Sequence, residues 1–474
     1  MASSIALSTG RMVLRKDKVE IGDSGLYTSI PISASGFNFW DLVFATQDVE
    51  PKFLVLKCGA IFHGALGNGI RVACKRFESN PAEVCPRTRG ACFASKVSVW
   101  RDSLMQFTMK SLKFFAAFAL SLFLLPALTQ AQHYKQTNLV SDIMGMAPVH
   151  DPNLVNPWGL TRSSGSPWWV ADNNSGFSTL YNGSGQIIPI NGTGTVTVPP
   201  PKNAPAGTLA TPTGVVFNGS PDFVLPNGNP ARFIFATEDG TISGWNGGQN
   251  AVLMVDNSDN GSANGAVYKG ATSGEIDGHR FLYVTNFRKA RVEVYDTHFM
   301  RVHLDEDAFE NEDLPRGFAP FNIQNIGGVL FVTYAKQDSA RHDDVAGDGL
   351  GFVRIFTRSG RQVGHLQHGP WFNSPWGVVW TTRDFGEFSN AILVGNFGSG
   401  QIAAFNGFTY KFMGFLKNPG DSILSIDGLW SITFGNDATA GPANTLFFTA
   451  GIQGEQHGLF GTITPVDGLD GDEE

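Results

Sequence analysis

From about residue 156 to the C-terminus, two short hydrophobic phrases alternate along the chain. The first is Pro or Leu, a variable residue, a Gly, Ser or Asn, then an aliphatic. The second, some residues later, is a run of three or four β-forming residues that ends, in most copies, in a polar one. The first copy reads Pro157-Trp158-Gly159-Leu160, then Trp169-Val170-Ala171-Asp172. The second reads Pro212-Thr213-Gly214-Val215, then Ile234-Phe235-Ala236-Thr237-Glu238. A degraded third copy, Tyr268-Lys269-Gly270-Ala271, precedes Leu282-Tyr283-Val284-Thr285-Asn286. Pro320-Phe321-Asn322-Ile323 goes with Phe331-Val332-Thr333-Tyr334, and Pro375-Trp376-Gly377-Val378 with Leu393-Val394-Gly395-Asn396. Leu429-Trp430-Ser431-Ile432 and Phe447-Phe448-Thr449-Ala450 complete the series. Six copies with no helix signal between them predict radial repetition. The fold class is all-β: a six-bladed β-propeller of four-stranded antiparallel blades.

The second phrases begin near 169, 234, 282, 331, 393 and 447, so successive copies are 65, 48, 49, 62 and 54 residues apart. Each interval holds four short strands and their turns. The strand after each phrase alternates apolar positions, as in Thr241-Ile242-Ser243-Gly244-Trp245 and Phe352-Val353-Arg354-Ile355-Phe356. A period of two predicts strands with one face buried between blades. Tyr134 to Val140 lies outside the six copies and is expected to close the ring beside Leu459–Ile463, removing the exposed sheet edges. The two long intervals mark insertions at 182–211 and 336–351, the second containing His342-Asp343-Asp344. Such loops carry binding on propeller faces. The acidic run from Asp305 to Asp313 reads as a solvated connection or a weak cation-binding surface.

Lys110 and Lys113, the apolar run Phe114–Leu125, Pro126 and Thr129-Gln130-Ala131 form the pattern of a secretory signal, placed at residues 105–131. The run is too short for a bilayer span of about 20 residues. Residues 1–104 lack the repeat and read as a mis-called upstream extension. They hold all four cysteines, Cys58, Cys74, Cys85 and Cys92, whose spacing lacks two close Cys-x₂₋₄-Cys pairs for zinc. Cleavage after Ala131 leaves the propeller at 132–467 and an acidic tail at 468–474. Residues 132–474 carry 19 Lys plus Arg against 33 Asp plus Glu, a formal charge of −14. That balance argues against a nucleic-acid partner. The expected location is exported, periplasmic or extracellular, with no stable membrane anchor after signal cleavage.

Further phrases carry a resemblance: Asn138-Leu139-Val140-Ser141-Asp142, Asp151-Pro152-Asn153-Leu154-Val155-Asn156 ahead of Pro157, and Leu180-Tyr181-Asn182-Gly183. Ala210-Thr211 before Pro212, Gly317-Phe318-Ala319 before Pro320, and Val332-Thr333-Tyr334-Ala335 extend it. Together they resemble an uncharacterised family of exported bacterial proteins with NHL-like repeats. The likeness covers nearly all of 138–465 and leaves the leader outside. It implies a six-bladed propeller and no agreed activity. The wider six-bladed superfamily includes calcium-dependent lactonases and arylesterases, a link of fold alone.

The residues ending the second phrases share one register: Asp172, Glu238, Asn286, Tyr334, Asn396 and Ala450. If those strand ends face the channel, Asp172, Glu238, Asn286 and Asn396 form a metal site whose hard oxygens suit Ca²⁺. The superfamily's lactonases are similar in using Glu, Asp and Asn on the axis. In the other reading these polar residues start turns. A metal hydrolase would also need a base near the mouth. His150, His279, His342 and His457, placed in loops, are base candidates or plain surface residues. No Gly-x-Ser-x-Gly elbow, His-Glu-x-x-His or phosphate loop is present, and no catalytic residue is assigned. Trp158, Trp376 and Trp430 share a second register, either lining a mouth or wedging between blades. Two functions follow: a binding or scaffold module for an extracellular protein or glycan partner, or a calcium-dependent hydrolase of small lactones or esters.

Overall fold

The computed structural model describes residues 133–466, apart from 191, 306, 311 and 312, and the backbone of five strands upstream. The chain forms two compact units, Met1–Leu120 and Ser121–Glu474. In the first, Met12–Arg15 pairs with Lys18–Ile21, while Asp41–Ala45, Phe53–Ile61 and Arg71–Glu78 form a three-stranded sheet. The signal segment expected at 105–131 and the tail expected at 468–474 lie outside the described residues.

The second unit is the six-bladed propeller. Each blade is a four-stranded antiparallel sheet, and in the first five the strands follow chain order outward from the axis. The inner strands are Pro157–Thr161, Pro212–Phe217, Tyr268–Ile276, Phe318–Ile326, Pro375–Trp380 and Leu429–Phe434. Each touches the next, and the sixth touches the first. The sixth blade takes its outer strand from the N-terminal side. Leu459–Val466 pairs with His133–Ser141, setting Phe460 opposite Val140 and Ile463 opposite Gln136. This is the closure expected of Tyr134–Val140, and Val149–His150 adds a short parallel fifth strand.

The core is divided among the blade interfaces. Phe331 and Ile355 of the fourth blade meet Ile392 and Val394 of the fifth. The intervening Ala391 and Leu393 face the sixth blade, where Leu429 and Phe448 receive them. Neighbours alternate faces along a strand, so each central strand serves two interfaces. Phe233–Thr237, Thr241–Trp245 and Gly351–Phe356 are therefore buried at every position. This corrects the expectation of one buried face: a blade sandwiched between two others has no solvent side near the axis.

One irregularity recurs in all six inner strands and builds the centre. Register against the second strand slips between 157 and 160, 212 and 214, 268 and 270, 320 and 322, 375 and 378, and 429 and 432. A β-bulge turns a residue out of the ladder. The residues displaced are Trp158, Thr213, Lys269, Phe321, Trp376 and Trp430. Carbonyls near the bulges are taken up by adjoining blades. Thr449 donates to the Trp158 carbonyl at 2.6 Å, Thr285 to that of Phe321 at 3.1 Å, and Asn322 to that of Trp376 at 2.9 Å. Where the next residue is a glycine, the following inner strand lies too close for a side chain. A Cβ at Gly159 would sit 2.4 Å from the Thr213 carbonyl oxygen, and one at Gly377 2.7 Å from that of Trp430.

Tyr134 fastens the closing strand to the fifth blade. Its ring packs on Phe385 and Phe388 at 5.0 and 6.0 Å. Its hydroxyl donates to the Phe385 carbonyl at 3.0 Å and accepts from the Phe388 N–H at 3.1 Å. Tyr134→Ala is expected to cost about 3–5 kcal/mol in urea unfolding, as for other buried aromatics. Tyr134→Phe, which strands two backbone partners, should cost about 1–3 kcal/mol. A loss under about 1 kcal/mol for Tyr134→Ala would show that the ring closes without this contact.

Candidate functional site

Four of the six displaced residues are aromatic, and they meet. Trp158 stacks on Trp430 with centroids 3.5 Å apart and lies edge-on to Trp376 at 6.2 Å and to Phe321 at 6.4 Å. Trp158 and Phe321 come from the first and fourth blades, opposite one another, so their contact spans the axis. Phe287 and Phe397 pack around them, at 5.3 Å from Phe321 and 3.9 Å from Trp430. The three tryptophans therefore neither line an open mouth nor wedge between blades. They form a floor across the channel. Beyond it, a cavity of about 30 Å³ reaches all six inner strands, among them Gly159, Gly214, Ala271 and Asn322. That is room for roughly one water molecule.

Lys269 stands in the same register as the aromatics, and its side chain is only 2% exposed. The ammonium lies 4.9 Å from the Trp158 ring centre and 5.9 Å from that of Phe287. A cation over an aromatic face is attracted by the ring quadrupole. Nζ also pairs with Glu238 Oε1 and, at 3.2 Å, with Asp343 Oδ1. Burial works against the charge, but Glu238, Asp343 and Asp344 outweigh it and set the lysine pKa above its usual value. The Trp376 indole donates to the Lys269 carbonyl at 3.0 Å, holding the strand that presents it.

Loops from several blades supply the surround. Glu238 follows the second strand of the second blade and accepts from Asn173 of the first at 2.7 Å. His342, Asp343 and Asp344 come from the fourth-blade insertion, which links Val329–Lys336 to Gly351–Phe356. The imidazole Nδ1 lies 2.8 Å from Asp343 Oδ1. That hydrogen bond leads the causes that hold Asp343 well below the ordinary carboxylate range, opposed by desolvation and assisted by Lys269. The same bond raises the His342 pKa. Burial pushes the Asp344 carboxyl up. Glu455, from the sixth-blade loop, is likewise raised by burial, with Glu238 adding to the effect. Asn156 connects this rim to the floor, donating to Glu455 at 2.8 Å and accepting from the Trp430 indole at 3.1 Å. Ligand atoms of Glu238, His342 and Asp343 lie within 4.8 Å of one another.

Of the four residues read as a metal ring, only Glu238 belongs to this cluster. Asp172 is fully buried, accepts from the Thr179 N–H at 2.9 Å within its own blade, and is raised in pKa by desolvation. Asn286 donates to Glu293 at 3.0 Å and accepts from the Lys289 N–H at 3.2 Å. Asn396 accepts from the Asn373 N–H at 2.9 Å and donates to the Gln401 carbonyl at 3.1 Å. These three side chains bind the turns and strands around them, because a strand end that begins a turn leaves backbone groups needing partners. Of the loop histidines, His342 reaches the cluster. His150 and His279 lie in strands, and His457 pairs with Asp142 at 2.8 Å. Lys269 was legible as the lone charged residue in the aromatic register. Nothing local in the sequence marked Glu455.

Compared with known protein families, the chain matches none. It is 28% identical over 344 residues to an uncharacterized protein of Acanthamoeba polyphaga mimivirus, covering 70% of this chain and 80% of that one. A second uncharacterized mimivirus protein is 31% identical over 301 residues, covering 60% of this chain and 52% of that one. Among solved structures, that of streptogramin B lyase matches 71% of this chain and 99% of its own, at 14% identity and a TM-score of 0.40. The Penicillium chrysogenum alpha-L-arabinanase complexed with arabinobiose matches 71% and 98%, at 10% and 0.44. At these scores neither likeness adds to the strand pairing described above.

The His342–Asp343 pair sets a pH dependence. A histidine whose folded pKa is raised contributes stability that is full below its unfolded value of about 6.5 and lost as pH rises through the folded one. His342 should titrate above about 6.5 by NMR, and Asp343→Asn should lower its midpoint. An unchanged midpoint in that variant would show that the pair is not formed in solution.

Proposed function

We propose that this chain is an exported binding propeller of the family it resembles, engaging a protein partner through the face that carries Glu238, Asp343, Asp344 and Glu455. The observation behind this reading is the aromatic floor beneath a crowded set of carboxylates. With the channel filled, a ligand has the rim and its loops to contact. Four carboxyl groups, Glu238, Asp343, Asp344 and Glu455, lie within electrostatic reach of one lysine, so the face carries more negative than positive charge. The formal charge of −14 on residues 132–474 acts in the same direction. The partner chemistry is therefore a cationic segment of an extracellular protein, in preference to a neutral glycan.

A second reading, a hydrolase of small lactones or esters, draws on His342. Its side chain is 39% exposed and its Nδ1 is held by Asp343, an arrangement suited to accepting a proton from water. Calcium chemistry draws less support, since Asp172, Asn286 and Asn396 already serve their own blades.

Binding of the full chain to arrays of Lys/Arg-rich peptides and neutral glycans tests the first reading. Cationic peptides should bind, more weakly at high salt, and Asp343→Asn with Glu455→Gln should cost at least about tenfold in affinity, or roughly 1.4 kcal/mol. Glycan binding indifferent to those substitutions would overturn the choice of partner. Turnover of a lactone or aryl ester that His342→Ala abolishes would favour the second reading. Expression in a Gram-negative host tests export: the periplasmic product should begin at Gln132, and full-length protein confined to the cytoplasm would contradict it.

A further inference from the structure

We infer that Lys269 is the built-in axial cation of this propeller: its ammonium occupies the position a divalent ion would take, and removing it uncovers a divalent-cation site at Glu238, Asp343 and His342. The inference shares Glu238 and Asp343 with the proposed face but does not rest on what that face binds.

Three observations carry it. The first is placement. Five of the six axis positions hold Trp158, Thr213, Phe321, Trp376 and Trp430, which add no charge. The sixth sends an ammonium through the same bulge. The second is coordination. An ammonium has three donors and no acceptor. Here the ammonium meets two carboxylates, Glu238 and Asp343, which are also groups that ligate a divalent ion, with the Trp158 ring on its remaining side. The third is span. Donor atoms of Glu238, Asp343 and His342 lie within 4.8 Å of one another, a separation that one ion with bonds of about 2.4 Å bridges. The acidic residues alone would say little. The independent sign is that the protein has already buried a cation among them, with 2% of its side chain exposed.

Removing the ammonium while keeping its tail leaves Glu238, 11% exposed, without the cation it pairs with, the costly half of a broken buried pair, while Asp343 keeps His342. Met supplies the tail, ends one atom short of Nζ and leaves the position open. Lys269→Met should therefore show a Tm several degrees below wild type in EDTA and recover several degrees in millimolar calcium chloride. Calorimetry should find one calcium site in the variant, absent from wild type. The triple variant Lys269→Met, Glu238→Gln, Asp343→Asn removes both signs of charge and should fold without responding to calcium.

The proposal is overturned if wild type binds calcium at this cluster, with binding lost in Glu238→Gln. It is also overturned if Lys269→Met matches wild type in EDTA and ignores calcium. Should Lys269→Met fold only with calcium, the proposal is supported. Should it fail to fold in either condition, the triple variant decides: folding supports a charge requirement, and failure overturns the proposal, because the tail is kept and no uncompensated charge remains.

Discussion

An ammonium group leaves water only when counter-charge and hydrogen-bond partners replace its hydration, and the centre of this propeller is arranged around that requirement. Lys269 contributes the cation, Glu238 and Asp343 the anions, and Trp158 and Phe287 the aromatic faces beneath it. The partners come from different blades. Glu238 belongs to the second, Lys269 to the third and Asp343 to the fourth. The charge pairing therefore joins three consecutive blades beside the axis and holds the long fourth-blade loop to them. A buried ion pair is weak grounds for stability in itself, yet removal of one member is severe.

The inner-strand bulge makes this possible. It lifts one residue per blade out of the ladder, and at Gly159 and Gly377 the next inner strand then comes too close for any side chain, while Asn322 in the same position bonds across to it. Bulge and glycine together account for the repeated first phrase. The same device delivers tryptophan in three blades, phenylalanine in one, threonine in one and lysine in one. The channel is thereby filled from inside, and the ionisable groups Glu238, His342 and Asp343 gather in the loops beside that floor.

The sequence was most legible where it repeats. The second phrases mark buried second strands, and Tyr134–Val140 closes the ring against Leu459–Ile463. Register failed as a guide to the site, since a strand end marks where the chain turns without saying which way its side chain goes. Asp172, Asn286 and Asn396 turned back to their own blades, and Glu238 turned inward to the lysine. Asp343 and Glu455 came from loops of unlike length and sequence, whose approach to the axis depends on the closed ring. Lys269 was visible in the third copy, but its charge read as decay of a motif because its partners lie 31 and 74 residues away.

On the inference above, Lys269 supplies the axial charge that a metal ion would otherwise bring. Crystals of the full chain grown with manganese chloride, with data collected at the manganese edge, address it directly. Continuous density for Lys269 reaching Glu238 and Asp343 is expected, with no anomalous peak above the aromatic floor. An anomalous peak there, with the Lys269 side chain displaced from Glu238, would contradict it.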